Sequence, residues 1–107
     1  MSKNQLSLEE LFALIKKKIS AKEKNSYSYE LAKGGVEKIT RKIGEEALEV
    51  VIAAFIHDKK KSKKTREELV GEVCDLFYHS LVLLAERGIE LDEILSELSK
   101  RNKLKNK

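Results

Sequence analysis

Residues 41–51 read Arg41-Lys42-Ile43-Gly44-Glu45-Glu46-Ala47-Leu48-Glu49-Val50-Val51 and are the most informative part of the sequence for its fold. The apolar residues of this stretch recur at the three- and four-residue spacing of an α-helix, and carboxylates stand among them. A carboxylate that is half buried on a helix face costs free energy unless a cation neutralises it. The stretch therefore predicts a helix with a cation beside it.

A second acidic pair lies in the next long apolar run. Glu46 and Glu49 are three residues apart, as are Glu72 and Asp75, so each pair projects from one face of its helix. Two such helices packed antiparallel would bring four carboxylates into one cluster. An oxygen-only site of this kind suits Mg²⁺, or Mn²⁺, better than zinc. Spacing alone leaves surface salt bridging open as an equal alternative.

Composition predicts a single all-α domain over residues 1–107 with four to five helices. The chain has 41% hydrophobic and 37% charged residues and no proline, which favours long uninterrupted helices with charged outer faces. Ser7 and Glu10 form the pattern of a capping box that opens a helix over 8–22. A short helical segment follows from Ser26, and the helix that carries the first acidic pair spans about 36–57.

Two further helices are predicted in the second half of the chain. Thr65 and Glu68 form a capping-box pattern that opens the helix carrying the second acidic pair. Gly88 followed by Ile89 indicates a Schellman C-cap, and a last helix continues to about Arg101. The one cysteine, Cys74, lies in an apolar run and is predicted to be an ordinary buried thiol.

The net charge of +4 and the pI of about 9.1 raise the question of nucleic-acid binding. The excess charge lies largely in a basic linker at about 58–64 and a basic tail at about 102–107. No aromatic residues are interleaved there, so we interpret both as solvated segments and expect no nucleic-acid partner. We also expect no membrane association and a cytoplasmic location, because no apolar run is long enough to span a bilayer.

The motifs resemble those of a known superfamily. Glu45-Glu46-x-x-Glu49 followed by Glu72-x-x-Asp75 is similar to the EExxE…ExxD pattern of the all-α, MazG-like nucleoside triphosphate pyrophosphohydrolases. A narrower likeness, over about residues 8–101, is to the phosphoribosyl-ATP pyrophosphohydrolase family of histidine biosynthesis. The segments that carry it include Ser26-Tyr27-Ser28, Leu31-Ala32-Lys33-Gly34, Lys42-Ile43-Gly44-Glu45-Glu46-Ala47, Asp75-Leu76-Phe77-Tyr78-His79 and Leu83-Leu84-Ala85-Glu86-Arg87-Gly88-Ile89.

This resemblance implies a MazG-like helical bundle completed by homodimerisation. It implies Mg²⁺-dependent hydrolysis of phosphoribosyl-ATP to phosphoribosyl-AMP and pyrophosphate, the second step of histidine biosynthesis, with a Mg²⁺-activated water as the nucleophile. By motif position, the metal ligands would be Glu46, Glu49, Glu72 and Asp75. The catalytic residues would be Glu45, Glu46 and Glu49, with Glu45 orienting or activating water. The substrate would contact Ser26, Tyr27, Ser28, Lys33, Lys42 and His79.

Two alternatives stay open at this point. The four acids suit a MazG-like (d)NTP pyrophosphohydrolase of nucleotide-pool cleansing equally well. A non-enzymatic helical module that binds nucleic acid through its lysine runs would instead show salt-dependent affinity without a requirement for metal.

Overall fold

The computed structural model describes residues 4–105, and the all-α prediction is confirmed. Of the residues in this range 83% are helical, and no strand occurs between residues 4 and 105. Within that range no helix is both long and apolar enough to cross a bilayer. The helices are α1 (Leu8–Ser20), α2 (Tyr27–Lys33), α3 (Gly35–Lys59), α4 (Lys63–Arg87) and α5 (Leu91–Lys105).

Helices α3 and α4 form a long antiparallel hairpin, because only residues 60–62 connect them. Helix α2 packs against both arms of the hairpin, and α1 packs against α2 and α4. The apolar core lies mainly between these four helices, with Leu91 of α5 at its edge. The core draws on the first half of α3 and the last half of α4, so it occupies the end of the hairpin away from its turn. Its buried members are Phe12, Ile15, Leu31, Ile39, Leu81, Val82 and Leu91.

The half of the hairpin nearer its turn keeps many apolar side chains exposed. On α3 these include Leu48, Ile52 and Phe55, with 60%, 50% and 65% of their surface exposed. Cys74 lies in the same half of α4 and is exposed, so the predicted buried thiol is wrong. Helical periodicity marks an apolar face, but it does not say whether another element covers that face.

The ends of the helices depend on short-range side-chain caps. Ser7 Oγ accepts a hydrogen bond from the Glu10 N–H at 3.0 Å, and Glu10 Oε1 accepts one from the Ser7 N–H at 2.8 Å, so the first capping box is confirmed. The second predicted capping box, at Thr65 and Glu68, is wrong, because α4 begins about one turn earlier. Ser62 caps α4, and Thr65 Oγ1 accepts from the Ser62 N–H at 3.1 Å. Ser62 takes the capping position because Thr65 supplies the reciprocal acceptor that Glu68 was expected to supply.

This earlier start shortens the connection between the long helices. The basic linker expected at about 58–64 is largely helical, since α3 ends at Lys59 and α4 begins at Lys63. The basic tail expected from residue 102 continues α5 through Lys105, and residues 106 and 107 lie outside the described range.

Glycines set two of the helix boundaries. Gly35, with φ of 83°, lets α3 begin directly after α2, and Gly88, with φ of 70°, ends α4. The Ile89 N–H donates to the Leu84 carbonyl at 2.9 Å, which is the long hydrogen bond of a Schellman motif, so this predicted C-cap is confirmed.

Removing the first cap should weaken the fold measurably. We expect Ser7→Ala to lower the free energy of unfolding by about 1 kcal/mol at pH 7, because the Glu10 N–H loses its acceptor.

Hydrogen bonds from the Ser7 N–H and hydroxyl lower the pKa of Glu10. The ionised Glu10 therefore stabilises the fold above its unfolded-state pKa, and this contribution is lost as the pH falls through the folded-state value. Urea unfolding of Glu10→Ala at pH 7 and in acid, with Glu9→Ala as the control, measures this, and equal effects at both pH values would contradict it.

Candidate active site

Three carboxylates from the hairpin converge at its middle. Glu46 comes from α3, and Glu72 and Asp75 come from α4. Each offers an oxygen within 4.8 Å of the others. The i,i+3 spacing puts Glu72 and Asp75 on the face of α4 that meets α3, where the two arms pack together. Glu46 is buried, Glu72 is half-buried and Asp75 is exposed, so the cluster opens from the packed hairpin to solvent.

The buried part of this cluster holds two carboxylate oxygens that receive no hydrogen bond from residues 4–105. Glu46 Oε1 and Glu72 Oε1 are both shielded from solvent, and neither has a hydrogen-bond partner among the described residues. A buried carboxylate oxygen without a donor costs free energy, so the arrangement calls for a cation. An all-oxygen donor set with a solvent-facing side suits a hard divalent cation that keeps some of its waters, as Mg²⁺ does.

Glu49 adjoins this cluster. Its carboxyl lies within hydrogen-bonding reach of Glu72 and helps to line a cavity of about 310 Å³ along the hairpin. The pKa of Glu72 is raised by desolvation first, then by the contact with Glu49 and by the negative charges of Glu49, Glu46 and Asp75. The four acids predicted from their spacing therefore lie together, three within direct reach of one another and the fourth against Glu72.

A network of aromatic and hydroxyl groups supports the exposed edge of the cluster. The His79 ring is buried, and its Nδ1–H donates to the Asp75 carbonyl at 2.7 Å, because a carbonyl can only accept. In the neutral ring Nε2 then accepts from the Tyr27 hydroxyl at 2.8 Å. Both nitrogens of His79 are thus engaged within the protein, which places His79 behind Asp75 as a support of the helix turn that carries it.

The segment predicted to bind substrate lies directly against this network. Ser26 caps α2 by accepting from the Tyr29 N–H at 3.2 Å. Ser28 is buried, and its hydroxyl hydrogen-bonds the Tyr78 hydroxyl. The Tyr27 and Tyr78 rings stack with their centroids 5.9 Å apart. Tyr78 was not among the site residues expected from the sequence, although its spacing of three residues from Asp75 and one from His79 puts it beside them.

The predicted cations differ in their position relative to the cluster. Lys42 is half-buried one turn before Glu46, with its ammonium 3.4 Å from Glu45 Oε1. The contact with Glu45, followed by the nearby Tyr27, raises the pKa of Lys42, so it stays charged. Lys33 is exposed at the end of α2, and its ammonium lies 5.9 Å from the centre of the Tyr29 ring. Glu45 is about half exposed and points to Lys42, outside the three-carboxylate cluster.

Removing the Tyr27 hydroxyl should weaken the support behind Asp75. We expect Tyr27→Phe to lower the free energy of unfolding by about 1 kcal/mol, because Nε2 of the buried His79 loses its partner. Burial, opposed by Lys42, raises the pKa of Tyr27, so the hydroxyl that donates to His79 is present throughout the neutral range. Chemical denaturation of Tyr27→Phe beside Tyr29→Phe measures the difference. Equal stabilities of the two variants would show that the Tyr27–His79 hydrogen bond contributes nothing.

Comparisons with known proteins identify the family of the chain. The family model described as phosphoribosyl-ATP pyrophosphohydrolase matches residues 8–102. A phosphoribosyl-ATP pyrophosphatase of Metallosphaera sedula is 45% identical over 96 residues, covering 90% of this chain and 96% of that protein. The phosphoribosyl-ATP pyrophosphatase of Lactiplantibacillus plantarum is 43% identical, over 89% of this chain and 83% of that protein. That of Clostridium acetobutylicum is 40% identical, over 100% of this chain and 91% of that protein. The chain belongs to the phosphoribosyl-ATP pyrophosphohydrolase family.

Proposed function

We propose that the protein hydrolyses phosphoribosyl-ATP to phosphoribosyl-AMP and pyrophosphate, the second step of histidine biosynthesis. The observation that carries this is the cluster of Glu46, Glu72 and Asp75 in a chain of this family, with two buried carboxylate oxygens that have no hydrogen-bond partner in the described part of the chain. The same carboxylates would suit a (d)NTP pyrophosphohydrolase, and the family match over most of the chain favours phosphoribosyl-ATP. A cytoplasmic location remains a prediction.

The chain's carboxylates would hold Mg²⁺, with Mn²⁺ as a substitute, and the ligand set would be Glu46, Glu49, Glu72 and Asp75. A divalent cation bound there would offset the charge of these carboxylates and of the substrate phosphates, which would otherwise repel each other. The fit is supported by the oxygens of Glu46 and Glu72 that lack a hydrogen-bond partner among the described residues. It is also supported by the raised pKa of Glu72, which follows from desolvation first and then from the neighbouring carboxylates.

The remaining residues would position the substrate and the attacking water. Lys42, charged and close to Glu46, would contact the phosphates, and Lys33 would extend this positive edge from α2. Glu45, beside Lys42, would orient the water and take its proton as the oxygen adds to phosphorus and the bond to pyrophosphate breaks. Ser26, Tyr27 and Ser28 would line the substrate side of the site, and His79 would hold the Asp75 turn in place.

A comparison of substrates tests this function. Pyrophosphate release from phosphoribosyl-ATP should exceed release from each of a panel of dNTPs by at least ~100-fold in kcat/KM, because the chain belongs to the phosphoribosyl-ATP family and the panel lacks the phosphoribosyl group. A preference for any dNTP would move the function to nucleotide-pool cleansing while keeping the carboxylate site.

We further propose that the protein is a homodimer through the uncovered half of the hairpin. The support is the number of large apolar side chains that are exposed on two adjacent helices, because a monomer rarely presents a large apolar patch. They are Leu48, Val51, Ile52, Phe55 and Ile56 on α3 and Val70 on α4.

A charge placed in this patch should break the dimer. We expect light scattering to give twice the chain mass of 12.2 kDa for the wild type and the single-chain mass for Phe55→Glu, because a carboxylate cannot be buried there without a partner. Leu6→Glu, at an exposed leucine ahead of α1, is the control and should stay dimeric. A wild-type mass of one chain, or a dimeric Phe55→Glu, would refute this interface.

A further inference from the structure

A second cavity, of about 250 Å³, lies between the end of α1, the start of α2 and α4. This is well above the ~30 Å³ that one water occupies in the liquid, so the cavity has room for a polar group with several heavy atoms. Its apolar floor comes from α1. The polar residues that line it are Lys18, Asn25, Ser26, Tyr27, Ser28 and Tyr78.

This cavity is joined to the carboxylate site by one aromatic wall. Tyr27 lines the cavity, and its hydroxyl hydrogen-bonds His79, which in turn donates to the Asp75 carbonyl. Tyr78 also lines the cavity and stacks on Tyr27. A ligand in the cavity therefore lies against the same residues that support the carboxylates on the other side.

The cavity has the opposite charge from the carboxylate site. Of the described residues that line it, Lys18 is the one that carries a charge. The Lys18 ammonium lies 3.7 Å from Glu23 Oε1, which is beyond hydrogen-bond distance, and both groups are partly exposed. Such a pair is weak, so the ammonium donors remain available to a better acceptor. Asn25 takes a left-handed backbone conformation, with φ of 66°, in the turn that brings Ser26 beside Lys18.

The substrate of the proposed reaction has two phosphorylated arms, one on each side of its base. The triphosphate arm must reach the carboxylates and their cation, where the bond is cut. The phosphoribosyl arm carries a second phosphate, which the carboxylates would repel. It therefore needs a separate site that supplies a cation and lies outside the carboxylate cluster.

We propose that the cavity beside Tyr27 receives the phosphoribosyl arm and that Lys18 binds its 5′-phosphate. This inference rests on the proposed function and deepens it, because it names the residue that distinguishes phosphoribosyl-ATP from nucleotides that lack this arm. The Ser28 and Tyr78 hydroxyls, which now bond each other, turn toward the sugar and phosphate oxygens when the arm is bound.

A binding experiment tests the cavity without any catalysis. Ribose 5-phosphate is titrated into the ¹⁵N-labelled protein in EDTA, and ribose serves as the probe without a phosphate. We expect amide shifts at residues 18, 25–28 and 78 with ribose 5-phosphate, much weaker shifts with ribose, and about tenfold weaker binding to Lys18→Ala. Lys17→Ala is the matched control, because Lys17 is an exposed lysine of the same helix turn that does not line the cavity. The amide spectra also show that each variant is folded.

Kinetics give the second measurement. Lys18→Ala should raise KM for phosphoribosyl-ATP about tenfold and leave kcat within about threefold, because Lys18 binds the substrate away from the reacting phosphorus. Lys18→Arg should recover most of the affinity, and Lys17→Ala should match the wild type.

The outcomes separate this inference from the proposed function. If ribose 5-phosphate does not shift the cavity amides, or if Lys18→Ala behaves as Lys17→Ala does, the inference is wrong even where phosphoribosyl-ATP is hydrolysed. If ribose 5-phosphate binds the cavity through Lys18 and phosphoribosyl-ATP is not hydrolysed, the cavity stands as a ribose-phosphate site and the proposed reaction falls.

Discussion

Glu46→Gln is expected to lower kcat for phosphoribosyl-ATP by at least ~100-fold while the helical content stays that of the wild type. Glu46 is the most buried member of the cluster, and one of its oxygens has no partner among the described residues. The amide has nearly the same shape as the carboxylate, so packing is kept while a metal ligand and a negative charge are lost. Initial rates of pyrophosphate release at saturating Mg²⁺ measure the loss.

The same substitution should raise the stability of the metal-free protein. Carboxylates that crowd one another without a cation destabilise the fold, and neutralising one of them relieves this repulsion. We therefore expect a higher Tm for Glu46→Gln than for the wild type in EDTA, together with the loss of activity.

The control for both effects is Glu37→Gln, because Glu37 is exposed on the same helix and pairs with Arg41 at 3.3 Å. It should keep the wild-type activity and should not gain stability in EDTA. Wild-type kcat for Glu46→Gln at saturating Mg²⁺ would refute its role as a ligand. A fall in both activity and stability would indicate that Glu46 serves only the packing of the hairpin.

Added Mg²⁺ should reverse the pH dependence of stability that the carboxylates produce. The raised pKa of Glu72 means that the folded state holds this proton more tightly than the unfolded chain. In EDTA, the contribution of Glu72 to the free energy of unfolding is fully present below its unfolded-state pKa. This contribution is lost as the pH rises through its folded-state pKa. Mg²⁺ binds the ionised form, so its stabilising effect should grow over the same range.

Thermal unfolding with Mg²⁺ and with EDTA at a series of pH values measures this reversal. At 100 times its dissociation constant, Mg²⁺ should add about 2.7 kcal/mol at neutral pH and progressively less in acid. Glu72→Gln should lose most of the shift with Mg²⁺, and Glu67→Gln, at an exposed acid of the same helix, should keep it. A Tm that does not respond to Mg²⁺ at neutral pH would contradict the metal site.

The carboxylate site follows from local sequence because both acidic pairs are set by helical spacing. Two side chains that are three residues apart on a helix lie on the same face whatever the tertiary structure. Glu72 and Asp75 therefore had to project from one face of α4. The short connection between the long helices then makes them antiparallel neighbours and brings Glu46 to the same place. Helix caps at Ser7 and Gly88 were predictable for the same reason, since each depends on atoms only a few residues away.

The aromatic support of the site was not predictable in this way. The hydrogen bond from Tyr27 to His79 joins residues 52 positions apart, and no local pattern states which hydroxyl will meet which ring. Lys18 follows Leu11, Leu14 and Ile15 at helical spacing, yet only the packing of α2 shows that this face of α1 borders a cavity. The prediction that Cys74 is buried is wrong because an apolar run in the sequence does not indicate whether another element covers that helix face.

We propose that the hairpin carboxylates, which would hold Mg²⁺, support the hydrolysis of phosphoribosyl-ATP between its α- and β-phosphates. The most direct measurement follows the phosphorus NMR spectrum of phosphoribosyl-ATP with the wild-type protein, first in EDTA and then after Mg²⁺ is added in excess. We predict no change in EDTA and, after Mg²⁺, the appearance of pyrophosphate and phosphoribosyl-AMP in equal amounts. Release of orthophosphate, or hydrolysis that proceeds unchanged in EDTA, would contradict the account.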